Sequence, residues 1–161
     1  MTKYRDNLKA EYFSVLNEVR YFHDSDAQAE LVMLLCKNII DSILSVRSPE
    51  KLLNINIHRM SKFAKSSNED TLKLATYFLS LPPLSIIDWV YEANNIFSNS
   101  GHCDEEVLEL EQTYITYAVN KQEYVNPFNG EFISKEQFED MINVVFRVSN
   151  EFVLRYNKVR G

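Results

Sequence analysis

The chain has 161 residues, with 17 Lys and Arg against 23 Asp and Glu, a formal charge of −6, three Gly and four Pro. At about 150 residues per domain this length predicts one domain, which on folding buries about 68–70% of its unfolded surface and needs neither disulfide nor metal to hold a core. Hydrophobic residues at 45% and charged residues at 25% exclude wholesale disorder, and so few glycines and prolines argue against the frequent turns of a sandwich or barrel.

The N-terminus, Met1-Thr2-Lys3-Tyr4-Arg5-Asp6, leads into a mixed polar stretch, so no secretory signal is expected. The longest strictly apolar run, Leu31-Val32-Met33-Leu34-Leu35-Cys36, is far short of the roughly 18–20 residues that span a bilayer. The expectation is a cytoplasmic chain without membrane association, in which Cys36 is a buried thiol and Cys103 lies in a polar loop, the two remaining reduced.

The elements read mostly at the helical period. A helix over 3–22 places Leu8, Tyr12, Val15, Leu16 and Val19 on one stripe. Ser25 and Gln28 form a capping box for a helix over 26–46, apolar nearly all round at Leu31–Cys36 and continuing with Ile39, Ile40, Ile43 and Leu44. Such a helix belongs at the centre of the domain. Ser48-Pro49-Glu50 opens a third helix, with a break at Asn54-Ile55-Asn56 and a continuation to Lys65. After Ser66-Ser67-Asn68 a helix over 69–81 turns Leu72, Ala75, Phe78 and Leu79 inward and ends at Pro82-Pro83. The next two helices are expected over 85–97, on Ile86, Trp89, Val90 and Phe97, and over 104–122, on Val107, Leu110, Tyr114, Tyr117 and Ala118. Asn126-Pro127-Phe128-Asn129-Gly130-Glu131 signals a turn, hence a short hairpin near 124–133. Ser134 and Gln137 form a second capping box for a last helix to 157, on Phe138, Met141, Ile142, Val145, Val148, Phe152 and Tyr156.

Few patterns carry chemistry. Glycines only at 101, 130 and 161 cannot build a phosphate-cradling loop. His23, His58 and His102 stand in no Cys-x-x-Cys, His-x-x-x-His or Glu-x-x-His frame. The one tight cluster of possible ligands, His102-Cys103-Asp104, consists of neighbours that seldom reach one ion together. His23-Asp24 matches the doublet of metal-dependent phosphohydrolases built on helical bundles, but their pattern needs an upstream histidine and none precedes His23. Arg20 and His23 are too close for the Arg–His pair of helical ribonucleases. No Gly-x-Ser-x-Gly elbow occurs. Asn126-Pro127-Phe128, a tripeptide bound by some endocytic adaptors, reads here as a turn opener.

Charge is more informative. Residues 1–66 hold ten Lys/Arg and eight Asp/Glu, and residues 67–161 hold seven and fifteen, giving +2 and −8. On a continuous helix Lys51, His58, Lys62 and Lys65 would share one face, flanked by Arg59. Such a stripe suits phosphate or an acidic protein. The succession of helices over 69–122 followed by a hairpin has the order of a winged helix-turn-helix within 69–133. Its recognition position carries Asp104, Glu105, Glu106, Glu109 and Glu111, which would oppose a DNA groove. Tyr91 falls where a contact edge would be, among residues favoured at interfaces.

The sequence thus predicts an all-α single domain over 1–161, of six or seven helices with one short hairpin. Its expected role is that of a non-enzymatic interaction protein, an adaptor, inhibitor or accessory subunit, binding another protein or a second copy of itself. The candidate surface comprises Lys51, His58, Arg59, Lys62, Lys65, Tyr91, Glu105, Glu106 and Glu109. The alternatives are a nucleic-acid-associated regulator using the basic stripe of 47–65 and a metal-dependent hydrolase around His23 and Asp24. No cofactor and no metal are expected.

Overall fold

The computed structural model describes residues 3–18, 26–95 and 107–161. Among them the chain runs α1 (Lys3–Glu18), α2 (Asp26–Ser45), a 3-10 turn (Pro49–Lys51), β1 (Ile55–Asn56), α3 (Ile57–Ala64), α4 (Glu69–Ser80), β2 (Ile87–Asn94), β3 (Val107–Leu110), α5 (Gln112–Lys121), α6 (Lys135–Met141), β4 (Ile142–Val148) and α7 (Asn150–Arg160). The strands form one sheet in the order β1-β4-β2-β3. The fold is therefore mixed α/β, which corrects the expected all-α domain with a single hairpin.

Three expected helices give way to strands, each for a local reason. Ile86-Ile87-Asp88-Trp89-Val90-Tyr91 is dense in β-branched and aromatic residues, and no helix cap precedes it, since Ser85 sits at φ 45. Side chains of this type lose rotamer freedom in a helix and suit a pleated surface. The same composition makes Ile142-Asn143-Val144-Val145-Phe146-Arg147-Val148 a strand, which splits the expected 135–157 helix into α6, β4 and α7. Ser149 restarts the helix: its hydroxyl accepts from the Phe152 amide at 3.0 Å and donates to the Ser85 carbonyl. Leu108-Glu109-Leu110-Glu111 alternates with period two, and α5 begins only at Gln112. Among the described residues of 69–121 the order is thus helix, strand, strand and helix, where the winged-helix order called for helices throughout.

The chain divides into two compact units, residues 1–89 with 146–161 and residues 90–145. In the first, α2 is central as its all-round apolar sequence requires, with Val32, Leu35, Cys36, Ile39, Ile40, Ile43 and Leu44 buried. It packs against α1, α3 and α4, while α7 packs chiefly on α1. The Tyr12 and Phe152 rings stack at 6.3 Å, and Trp89 meets Phe146 edge to face at 5.4 Å. A helix end leaves carbonyls without partners, and Arg5 supplies them at the end of α2. Its Nη1 donates to the Leu44 and Val46 carbonyls at 3.0 and 2.7 Å, and its Nη2 to the Arg47 carbonyl at 2.9 Å and the Tyr156 hydroxyl at 3.0 Å. The guanidinium also lies over the Tyr156 ring, 5.7 Å from its centroid.

The second unit is built on Ala93, Ala118, Phe138, Met141 and Val145, all buried. Phe138 stacks on Tyr114 at 6.4 Å and meets Tyr124 at 5.2 Å, and the Tyr114 hydroxyl donates to the Val125 carbonyl at 2.6 Å. The expected turn closes through Asn126, whose amide donates to Glu131 and whose carbonyl accepts from Gly130, each at 2.8 Å. Its two arms are joined by an isolated bridge, Val125 to Phe132. Gly130, at φ 75, takes the left-handed conformation that favours glycine. The Ser134–Gln137 capping box forms with both of its bonds. Among the described residues no helix is long and apolar enough to cross a membrane.

Candidate functional site

The expected basic stripe is not one helical face. The 3-10 turn, the extended residues after it and β1 separate Lys51 from α3, so the spacing from 51 to 58 has no helical meaning. The helix starts at Asn56, whose side chain accepts from the Arg59 amide at 2.8 Å. It ends at Lys65, whose left-handed backbone (φ 57) turns its amide back to the Lys62 and Ser61 carbonyls. From α2, Asn38 and Ser42 donate to the Ala64 and Phe63 carbonyls, each at 3.0 Å, and fix this end. Met60 and Ala64 are buried, so His58, Arg59 and Lys62 are left exposed, with Lys65 at the cap and Lys51 at the 3-10 turn. Arg59 lies over the Phe63 ring at 5.3 Å.

The remaining candidates belong to the 90–145 unit. Tyr91 is half-buried on β2 and pairs with Leu110 of β3. Glu109 is exposed and pairs with Glu92, so two carboxylates occupy directly opposite positions. Glu105 and Glu106 lie outside the described residues, as do His23, Asp24, His102 and Cys103.

Two residues that helical reasoning assigned to an α-helix become the informative ones. Val107 and Leu108 lie on β3, an end strand of the sheet order, and are 49% and 39% exposed. The apolar–acid alternation of residues 108–111 was the available signal. Beyond β3, α5 presents Thr113, Thr116, Tyr117 and Asn120 to a shallow groove.

Charge separates by unit more sharply than by sequence half. Residues 90–145 hold two Lys/Arg against eleven Asp/Glu, a net of −9, leaving fifteen against twelve, or +3, for the other unit. The described part of the acidic unit alone holds two against eight. All eight of those acids except the half-buried Glu92 are exposed.

Among the described residues the one cysteine is placed unfavourably for chemistry. Cys36 is fully buried and its thiol meets the Ala75 carbonyl at 3.6 Å; burial pushes its pKa up to about 12, so it carries no thiolate at neutral pH. Among the described residues no group of three His, Cys, Asp or Glu side chains could hold a metal ion. No family model, curated protein or solved structure matches the chain.

Proposed function

We propose that the chain is a non-enzymatic interaction protein that binds a basic protein partner through the 90–145 unit. The observation that carries this reading is the segregation of charge, −9 in one compact unit against +3 in the other. A surface of one sign steers an oppositely charged partner and rejects partners of like charge. The exposed apolar residues on β3 supply what charge alone lacks, a short-range contact that makes the encounter lasting.

The reading is tested with a photo-crosslinking residue at position 108 or, separately, at position 62 in the native host. The expected result is one basic protein captured at 108 and not at 62, in a complex whose affinity falls steeply with salt. Equal capture at both positions, or a complex indifferent to salt, overturns it.

A second reading rests on the exposure of His58, Arg59, Lys62 and Lys65 around one short helix. These would let the first unit bind nucleic acid. Duplex or single-stranded DNA binding at low salt, abolished in Lys62→Glu/Lys65→Glu, would favour it. Absence of binding would remove it.

A further inference from the structure

An edge strand is a row of unpaired backbone donors and acceptors, and proteins ordinarily blunt it with Lys, Pro or a bulge. β3 uses none of these. It reads Val107-Leu108-Glu109-Leu110, and it pairs with Tyr91–Asn94 in continuous register. Among the described residues its outer side has no strand beside it. In an antiparallel ladder alternate residues turn their N–H and C=O groups to each side, so half of those of β3 face outward. The two faces differ. Leu108 and Leu110 share one with Ala93 and Tyr91, while Val107 and Glu109 share the other with Asn94 and Glu92.

We propose that β3 receives an extended segment of the partner as a fifth strand, in which apolar and cationic side chains alternate. This rests on the reading that the acidic unit takes a basic protein, and deepens it. Main-chain hydrogen bonds to β3 supply affinity, and the two faces supply selection. Apolar side chains extend the Leu108–Leu110 face. Cationic side chains fall on the Glu92–Glu109 face, within the unit whose net charge is −9. A second copy of β3 is a poor occupant. It would bring another unit of −9 and a second Glu109 within the Debye length of about 8 Å.

The test uses the full chain and three synthetic peptides of about ten residues: Lys alternating with Val and Thr, the same peptide N-methylated at alternate amides, and its Glu counterpart. Binding is followed by fluorescence anisotropy at low salt, and the amides of residues 107–110 by hydrogen exchange. The basic peptide should bind and slow exchange at alternate β3 amides. N-methylation, which leaves charge intact but removes the pairing edge, should weaken binding at least about tenfold, and the Glu peptide should not bind. Leu108→Lys, a substitution at a part-exposed position, should also lose about tenfold or more, with its thermal transition showing that it folds. Equal binding of the basic and N-methylated peptides overturns strand addition while leaving the acidic-surface reading standing. Failure of the basic peptide to bind at low salt overturns both. Binding of the Glu peptide as strongly as the Lys peptide overturns the charge selection.

Discussion

Replacing Arg5 by Met should remove about 3 kcal/mol of stability. The guanidinium makes four hydrogen bonds, to the Leu44, Val46 and Arg47 carbonyls and the Tyr156 hydroxyl. Fully desolvated bonds from a charged donor are worth about 1.5–3 kcal/mol each. Arg5 is only half-buried, however, and water can reach part of what it leaves behind. Discounting each bond to about 0.5–1 kcal/mol gives about 2–4 kcal/mol in all. Methionine keeps the apolar stem, so the loss reports the polar head. For a chain of this size 1 kcal/mol corresponds to about 2–4 °C, so the melting temperature should fall by about 6–12 °C. Arg5→Lys should lose most of the same amount, because an ammonium cannot reach several fixed carbonyls as the planar fork does. Thermal and urea denaturation of the three proteins provide the measurement, with unchanged urea slopes required for a clean comparison. A fall under about 2 °C for Arg5→Met, or full rescue by Lys, would refute Arg5 as the clasp that ends α2.

Further outcomes follow from the same geometry. Burial raises the Tyr12 phenol to about 12 from 10.0, with Arg155 partly opposing. The unfolded chain therefore ionises first: the stability from neutral Tyr12 is fully present below pH 10 and is lost as pH rises to 12, by about 3 kcal/mol. Burial of Cys36, raised from 9.0 to about 12, acts in the same direction over pH 9 to 12. Urea titrations across this range should show the decline, and Tyr12→Phe should shrink it. Because the buried Tyr12 hydroxyl has no partner at full hydrogen-bond geometry among the described residues, Arg155 acting on it chiefly by charge, Tyr12→Phe should also leave stability at pH 7 unchanged or slightly higher; a loss above about 1 kcal/mol would contradict this. Ser149→Ala should cost about 1–2 kcal/mol by removing the α7 cap and the bond to Ser85, measured by urea unfolding. Gly130→Ala should cost about 1 kcal/mol from backbone strain alone, since a Cβ there meets no atom within 4 Å. A larger loss in that variant would mean that the turn is tightly covered.

The elements legible in the sequence were those where period, cap and composition agree. The helix expected over 26–46 is α2 at Asp26–Ser45, and the one expected over 69–81 is α4 at Glu69–Ser80, started by Asn68. Local chemistry starts α4, where the Asn68 side chain accepts from the Thr71 amide, whereas the Ser25 cap expected for α2 lies outside the described residues. Strand β2 was harder to read. Trp89 and Val90 satisfy a helical stripe as well as a pleated face, and a short apolar run cannot tell the two apart. The third expected helix failed for a related reason. Pro49 opens only a 3-10 turn and Ser48 makes no side-chain cap, so the basic residues gathered by counting from 51 to 65 are partly dispersed. Tertiary contacts such as Arg5 on the α2 carbonyls span about forty residues, and no local pattern announces them.

The 135–157 segment shows what periodicity does and does not record. Phe138, Met141, Ile142, Val145, Val148, Phe152 and Tyr156 were placed inward on one continuous helix, and all of them are buried except the half-buried Ile142. Yet the backbone changes from α6 to β4 to α7 across them. A 3–4 spacing of apolar residues was thus a sound guide to burial and a poor guide to conformation, because both ends are helical and the interruption is short. Phe146, off the stripe and buried against Trp89, is the residue that only a strand explains. The same substitution of strand for helix bears on function. Had 104–122 been one helix, Val107 would have turned toward a core and Glu109 toward solvent. As the strand β3, which has no strand on its outer side among the described residues, both share one face, and Glu109 takes a fixed register opposite Glu92.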